Sequence, residues 1–162
     1  PVHRTTAYTF RDAAHAADLF ALQEQGHIYS RMSNPTQDIL EERIALLENG
    51  GKPGAAALAL SSGTSAIFYT IINLAAHGDE IVAANNLYGG TFTMFDNILP
   101  QFGITTRFVK PDDLAGFAAA ITPKTRAIYV ETIGNPTLEM IDLKAVADIA
   151  HAHGLPLSLL HL

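Results

Sequence analysis

The residues best suited to chemistry follow an apolar run, Ala55 to Leu60, where the chain changes to Ser61-Ser62-Gly63-Thr64-Ser65. Beyond them Ile67, Ile71, Leu74 and Ala75 recur at helical spacing. This order predicts a strand, a tight turn and a helix start. Free N–H groups at Gly63, Thr64 and Ser65 then stand at the positive end of a helix dipole beside Ser and Thr hydroxyls. The natural guest of such a turn is a phosphate. The same residues also read as an ordinary Ser/Thr helix cap. Two more polar segments end strand-like runs: Asn85-Asn86-Leu87-Tyr88-Gly89-Gly90, with an aromatic, and Thr132 to Thr137, with the amide of Asn135. Each singled-out residue has a plainer alternative. Tyr88 also suits a strand end, and Asn135-Pro136 is a common turn dipeptide. Arg31, in the aperiodic stretch Tyr29 to Thr36, also reads as a surface charge, whose ion pairs are worth under about 1 kcal/mol.

The elements that must position these loops alternate. Strands are expected at 55–60, 80–84, 104–109, 126–131 and 155–160, with helices at 64–77, 91–99, 112–121 and 142–153 between them. Strands separated by helix-length segments predict an α/β fold with a mainly parallel sheet flanked by helices. In such sheets ligands bind beyond the carboxyl ends of the strands, where the three polar loops fall. Ahead of this region an extended start precedes a short Ala-rich helix, Asp12 to Gln25. Asn34-Pro35 reads as the cap and first residue of a second helix that turns Ile39, Leu40, Ile44 and Leu47 inward. Neither G-x-G-x-x-G nor G-x-x-x-x-G-K-[ST] occurs, which counts against a dinucleotide site and a P-loop.

Composition narrows the function class. A hydrophobic fraction of 48% and a charged fraction of 16% over 162 residues suit a domain with a real core. The net charge of −6, with no basic cluster, argues against a nucleic-acid surface. There is no cysteine, so disulfides, thiol nucleophiles and Cys-based zinc sites are excluded. His151 and His153, two apart on a helix, point in different directions and lack a third ligand, so they read as positive charge at a helix C-terminus and no metal is expected. No apolar run approaches the ~20 residues of a membrane span. Pro1 is not an initiator, so the chain is expected to begin inside, or after trimming of, a longer cytoplasmic product.

Taken together, Tyr-Ser-Arg-Met-Ser-Asn-Pro-Thr (29–36), Leu-Ser-Ser-Gly-Thr-Ser-Ala (60–66), Leu-Tyr-Gly-Gly-Thr (87–91) and Glu-Thr-Ile-Gly-Asn-Pro-Thr (131–137) resemble the Cys/Met-metabolism family of pyridoxal-phosphate enzymes. Within it the chain looks most like the O-acetylhomoserine sulfhydrylases, through the Thr-Thr-Ala-Tyr-Thr-Phe start and Leu-Pro-Gln-Phe-Gly-Ile-Thr (99–105). The resemblance implies an aspartate-aminotransferase-like (fold type I) large domain. Residues 1–54 would form an arm and helices against a neighbouring subunit, and 55–162 part of the cofactor domain. It implies pyridoxal 5'-phosphate as cofactor, a homo-oligomer (a dimer of dimers), and γ-replacement on an amino-acid substrate by sulfide or a thiol. Ser62, Gly63 and Thr64 would then hold the cofactor phosphate, with Tyr29 and Arg31 reaching it from the neighbouring subunit. Tyr88 would stack on the ring and carry a proton, and Asn135 would bond the ring's 3-oxygen. Thr64 stands where relatives often carry Met or Gln, a change a backbone donor tolerates. Glu131 belongs to the last motif and is placed near the cofactor, without an assigned role.

The pattern breaks near the end. Leu160 stands where the family has an Asp that pairs with the ring nitrogen. The lysines present (Lys52, Lys110, Lys124, Lys144) match none of the family's Schiff-base lysine motif, and the family's C-terminal domain is expected to be absent from these residues. The 162 residues alone are therefore expected to be inactive and to bind cofactor weakly and non-covalently. A methionine γ-lyase or a cystathionine enzyme of the same family shares every motif quoted, and a non-catalytic phosphate-binding module is the alternative outside enzymes.

Overall fold

A computed structural model describes residues 2–161. Pro1, read as no initiator, and Leu162 lie outside the described residues. The chain divides into two compact units, one up to Leu60 and one from Ser61.

The first unit holds helices α1 (Ala13–Phe20) and α2 (Pro35–Glu48). Asn34 caps α2 as its sequence predicts: its side chain accepts from the Thr36 amide at 2.9 Å and donates to the His3 carbonyl, which ties the N-terminal arm to the helix start. Two expectations fail here. Ile39, Leu40, Ile44 and Leu47 are all exposed, and the buried residue of α2 is Ala45. Residues 55–60 form no strand; the Ala59 amide donates to the Glu41 carboxylate instead of entering a sheet. The physical reason is composition. Alanine carries little strand preference, and without a ladder partner an apolar run remains an extended segment.

The second unit is built on a four-stranded parallel sheet in the order β2-β1-β3-β4, comprising β1 (Glu80–Ala84), β2 (Thr105–Val109), β3 (Thr125–Glu131) and β4 (Leu157–Leu160). Helices α3 (Gly63–Leu74), α4 (Gly89–Thr93), α5 (Leu114–Ala120) and α6 (Leu143–Ala152) alternate with the strands. Ile81 to Ala84 and Ala127 to Val130 are buried without a break, as central strands covered on both faces must be. From β1 the chain steps to β2 on one side, then crosses to β3 on the other. The carboxyl ends of β1 and β3 therefore flank a topological switch point, where an open parallel sheet presents its crevice.

The helix expected at 91–99 changes character part-way. After α4 it widens into a π turn (Met94–Ile98) and tightens into a 3₁₀ turn (Leu99–Phe102). Pro100 accounts for the break. The Leu99 amide bonds the Met94 carbonyl, and Pro100 has no N–H to offer Phe95; the Thr106 hydroxyl donates to the Phe95 carbonyl in its place at 3.1 Å.

Arg107, in the middle of β2, makes two bonds to Glu80 at the start of β1 (2.7 and 3.1 Å), and Arg126 bonds Asp79 at 2.9 Å. The Arg126 hydrogen bond, helped by the Ala76 amide, holds the Asp79 carboxyl below its ordinary range. The Arg107 bond does the same for Glu80, against a smaller opposing effect of burial. A carboxyl lowered on folding adds stability above its unfolded value of about 4, and that stability is lost as pH falls through the lowered folded value. Unfolding midpoints at about pH 7 and about pH 3 are therefore expected to differ less in Arg107→Met than in the wild type. No helix among the described residues is long and apolar enough to cross a membrane, and among them no cluster of His, Asp and Glu is placed to hold a metal ion.

Candidate functional site

Helix α3 starts as a capped helix with an open front. Ser62 is extended at φ −160°, and its hydroxyl accepts from the Ser65 amide at 3.1 Å and bonds the Ser65 hydroxyl at 2.9 Å. Cap and anion site are thus both present, divided among neighbouring residues. The Ser65 N–H, expected to be free, is taken by the cap, whereas those of Gly63 and Thr64 have no acceptor among the described residues. Residues 61–64 are exposed, and a Cβ built on Gly63 would meet nothing within 4 Å. The front of the turn therefore faces open space, with two donors at the positive helix end.

Thr64 and Ser65 form one wall of a recess of about 590 Å³ whose other wall includes Gly89, Gly90 and Met94. The loop after β1 thus comes to the phosphate-type turn. Tyr88, half exposed, is the N-cap residue of α4 without capping through its side chain. Its ring lies against Gly90, where a Cβ would come within 2.6 Å of the ring carbon Cε1. That contact explains the glycine two residues after the tyrosine.

The loop after β3 is stitched to the same edge. The Asn135 main-chain amide donates to the Asn86 carbonyl at 3.2 Å, and Asn135 itself is exposed. Gly134 is buried against the Asn86 side chain; any Cβ at this position would collide with the Asn86 amide nitrogen, so only glycine fits without a shift. The Asn86 side-chain amide is buried with no partner for either polar atom among the described residues.

Glu131, the last residue of β3, is 1% exposed. Both of its oxygens accept the single Tyr88 N–H, at 3.0 and 3.2 Å. Burial raises its pKa, and the Tyr88 amide offsets part of that rise. Tyr129, two residues earlier on the same face of β3, packs edge-on against Phe95 with ring centroids 4.9 Å apart. Burial, reinforced by the Glu131 charge, pushes its hydroxyl well above the ordinary tyrosine range. The contact between Glu131 and Tyr88 spans 43 positions, and no local spacing announces it.

Tyr29 and Arg31 belong to the first unit. The Arg31 guanidinium stands 5.3 Å from the centroid of the Tyr29 ring, both side chains are exposed, and Arg31 makes no ion pair among the described residues. An arginine held over a ring with its donors unspent is suited to an anion.

The sequence pattern of the Cys/Met metabolism PLP-dependent enzyme family matches residues 1–160. The chain belongs to that family. The homocysteine synthase of Schizosaccharomyces pombe is 53% identical over 157 residues, which cover 97% of this chain and 36% of that protein. The O-acetyl-L-homoserine sulfhydrylase of Leptospira meyeri is 47% identical over 97% of this chain and 35% of its own length. An O-acetylhomoserine (thiol)-lyase of Campylobacter jejuni, solved with N'-pyridoxyl-lysine-5'-monophosphate, superposes with a TM-score of 0.91 at 40% identity, covering 98% of this chain and 38% of that one. Cystathionine gamma-lyase of Lactobacillus plantarum, solved with L-serine, gives 0.84 at 38% identity over the same shares. The chain thus spans a little over a third of the curated relatives it matches.

For this Cys/Met metabolism family member, the cofactor can be tested against the residues. The two free N–H groups and the hydroxyls of the α3 turn fit a phosphate, and the Tyr88 ring and Asn135 amide stand at the adjoining switch point. The end of β4 does not fit a ring nitrogen. Leu160, in register with Glu131, presents an alkyl group there, which offers a ring nitrogen neither charge nor hydrogen bond.

Proposed function

We propose that this chain carries the phosphate-binding part of a pyridoxal-phosphate site in a sulfhydrylase. That enzyme forms a C–S bond at the γ-carbon of O-acetylhomoserine, releasing acetate and giving homocysteine from sulfide or methionine from the corresponding thiol. The observation that carries the reading is the meeting of an open α3 turn with the Tyr88 loop at the β1/β3 switch point, in a chain about half identical to homocysteine synthases and sulfhydrylases. When bound, pyridoxal phosphate supplies an electron sink for carbanions at the amino-acid substrate. The chain's own residues bind and orient. Gly63 and Thr64 donate main-chain N–H bonds to the phosphate while Ser62 holds the turn. Tyr88 covers the ring face, and its hydroxyl moves a proton. The Asn135 side chain donates to the ring's 3-oxygen. Tyr29 and Arg31 reach the phosphate of a partner subunit, which makes the working form a homo-oligomer, a dimer of dimers, in the cytoplasm.

The resemblance to cystathionine gamma-lyase keeps one rival chemistry, elimination, in view. Product analysis of the complete gene product separates them. With O-acetylhomoserine and sulfide the expected product is homocysteine. A keto acid released from methionine or cystathionine alone, with no homocysteine formed, would overturn the sulfhydrylase assignment.

A further inference from the structure

Glu131 is 1% exposed at the end of β3, and it accepts only the single N–H of Tyr88 among the described residues. A carboxylate so enclosed is expensive to bury with one shared donor, and an apolar residue of similar size would be cheaper there. What the carboxylate provides is a fixed point for the main chain of Tyr88. Two oxygens on one N–H hold that amide at 3.0 and 3.2 Å. The amide sits at the start of α4, where a carboxylate also meets the positive helix end. The Tyr88 ring lies against the backbone at Gly90. On the same face of β3 as Glu131, Tyr129 packs edge-on against Phe95, and both are buried.

We infer that Glu131 is a positioning residue: by gripping the Tyr88 amide from the neighbouring strand end it fixes where the Tyr88 ring stands over the bound cofactor. The role at the ring rests on the cofactor reading above; the grip on the amide does not. Leu160 lies beside Glu131 in the β3–β4 register and brings no competing donor, which leaves the Tyr88 N–H as the carboxylate's partner.

The test uses the purified chain, isotope-labelled, with pyridoxal 5'-phosphate as the probe. Two readouts are followed: hydrogen exchange at the Tyr88 amide and the visible circular dichroism of added pyridoxal phosphate, which reports a ring held in one orientation. A hydrogen bond to a charged group is worth about 1.5–3 kcal/mol, so Glu131→Leu is expected to speed Tyr88 exchange roughly tenfold to a hundredfold. Exchange in β1 is expected to stay at its wild-type rate, and the dichroic band is expected to be lost. Glu131→Gln keeps an acceptor oxygen and is expected to restore both protection and band. Should the leucine variant fail to fold, a pH titration of the wild type decides. The Tyr88 amide shift is expected to move with a midpoint above the ordinary carboxylate range; the neighbouring Tyr129 titrates far higher and does not interfere. A Tyr88 amide that stays protected in Glu131→Leu, or that shows no titration in the wild type, overturns the inference. Protection with no band even in the wild type supports the grip and counts against the cofactor reading alone.

Discussion

Replacing Phe95 with alanine is expected to destabilise the second unit by about 3–5 kcal/mol, the cost of emptying a fully enclosed aromatic site. Phe95 is completely buried and stands edge-on to Tyr129 in the middle of the sheet. Small domains have only about 5–15 kcal/mol in total, so the variant is expected to lose much of its folded population under mild denaturant. The effect should exceed simple loss of area. The cavity opens against the ring of Tyr129, whose hydroxyl is buried without a hydrogen-bond partner among the described residues. Denaturation followed by far-ultraviolet circular dichroism measures it. A loss below about 1 kcal/mol would show that the 94–102 helical stretch is not packed on β3 as described.

The second large effect is expected from Gly63→Pro, and its value lies in separating fold from binding. Gly63 is the first residue of α3, and Ser62 before it is extended, with φ −160° and ψ 157°. Proline is favoured at a first helical position and requires an extended predecessor, so the helix should form as before. The space around the Gly63 Cβ position is empty, so a β-carbon meets no neighbour there. What proline removes is one of the two free N–H donors. If those donors hold a phosphate, affinity for pyridoxal phosphate is expected to fall roughly tenfold to a hundredfold, with the melting temperature of the free chain unchanged. Equal affinity in the variant would mean that the phosphate is held elsewhere.

Much of the second unit was legible because its signals are local. The alternation of apolar runs with helix-period segments placed β1 to β4 and α3, α5 and α6 within a few residues of where they lie. The capping roles of Ser62 and Asn34 were legible for the same reason, since a cap is a contact between near neighbours. The failures share a different cause. The run at 55–60 reads as a strand by hydrophobicity, yet a strand needs a partner, and pairing is not written in the run itself. The stripe Ile39, Leu40, Ile44 and Leu47 has the period of a buried face, and period alone does not say what covers it. The π turn depends on one proline acting five residues back, on the Phe95 carbonyl. Glu131 stood in a motif, but its grip on Tyr88 comes from strand order, because β3 lies directly beside β1.

Among the site residues, Tyr88 and Asn135 lie in the loops that follow β1 and β3, and Thr64 shares a recess with Gly89 and Gly90; Ser62 and Gly63 follow no strand, because 55–60 forms none, so the strand-end rule does not account for them. Tyr29 and Arg31 were singled out by resemblance, and the structure adds that the guanidinium rests on the ring.

Everything proposed for function depends on a phosphate seated at the mouth of α3. Backbone amide shifts of the labelled chain, recorded as pyridoxal phosphate is added, read that directly. The Gly63 and Thr64 amide signals are expected to move first and furthest, in step with each other, and inorganic phosphate at higher concentration is expected to move the same pair. Saturating additions that leave those two signals in place, or that shift residues away from the recess instead, would contradict it.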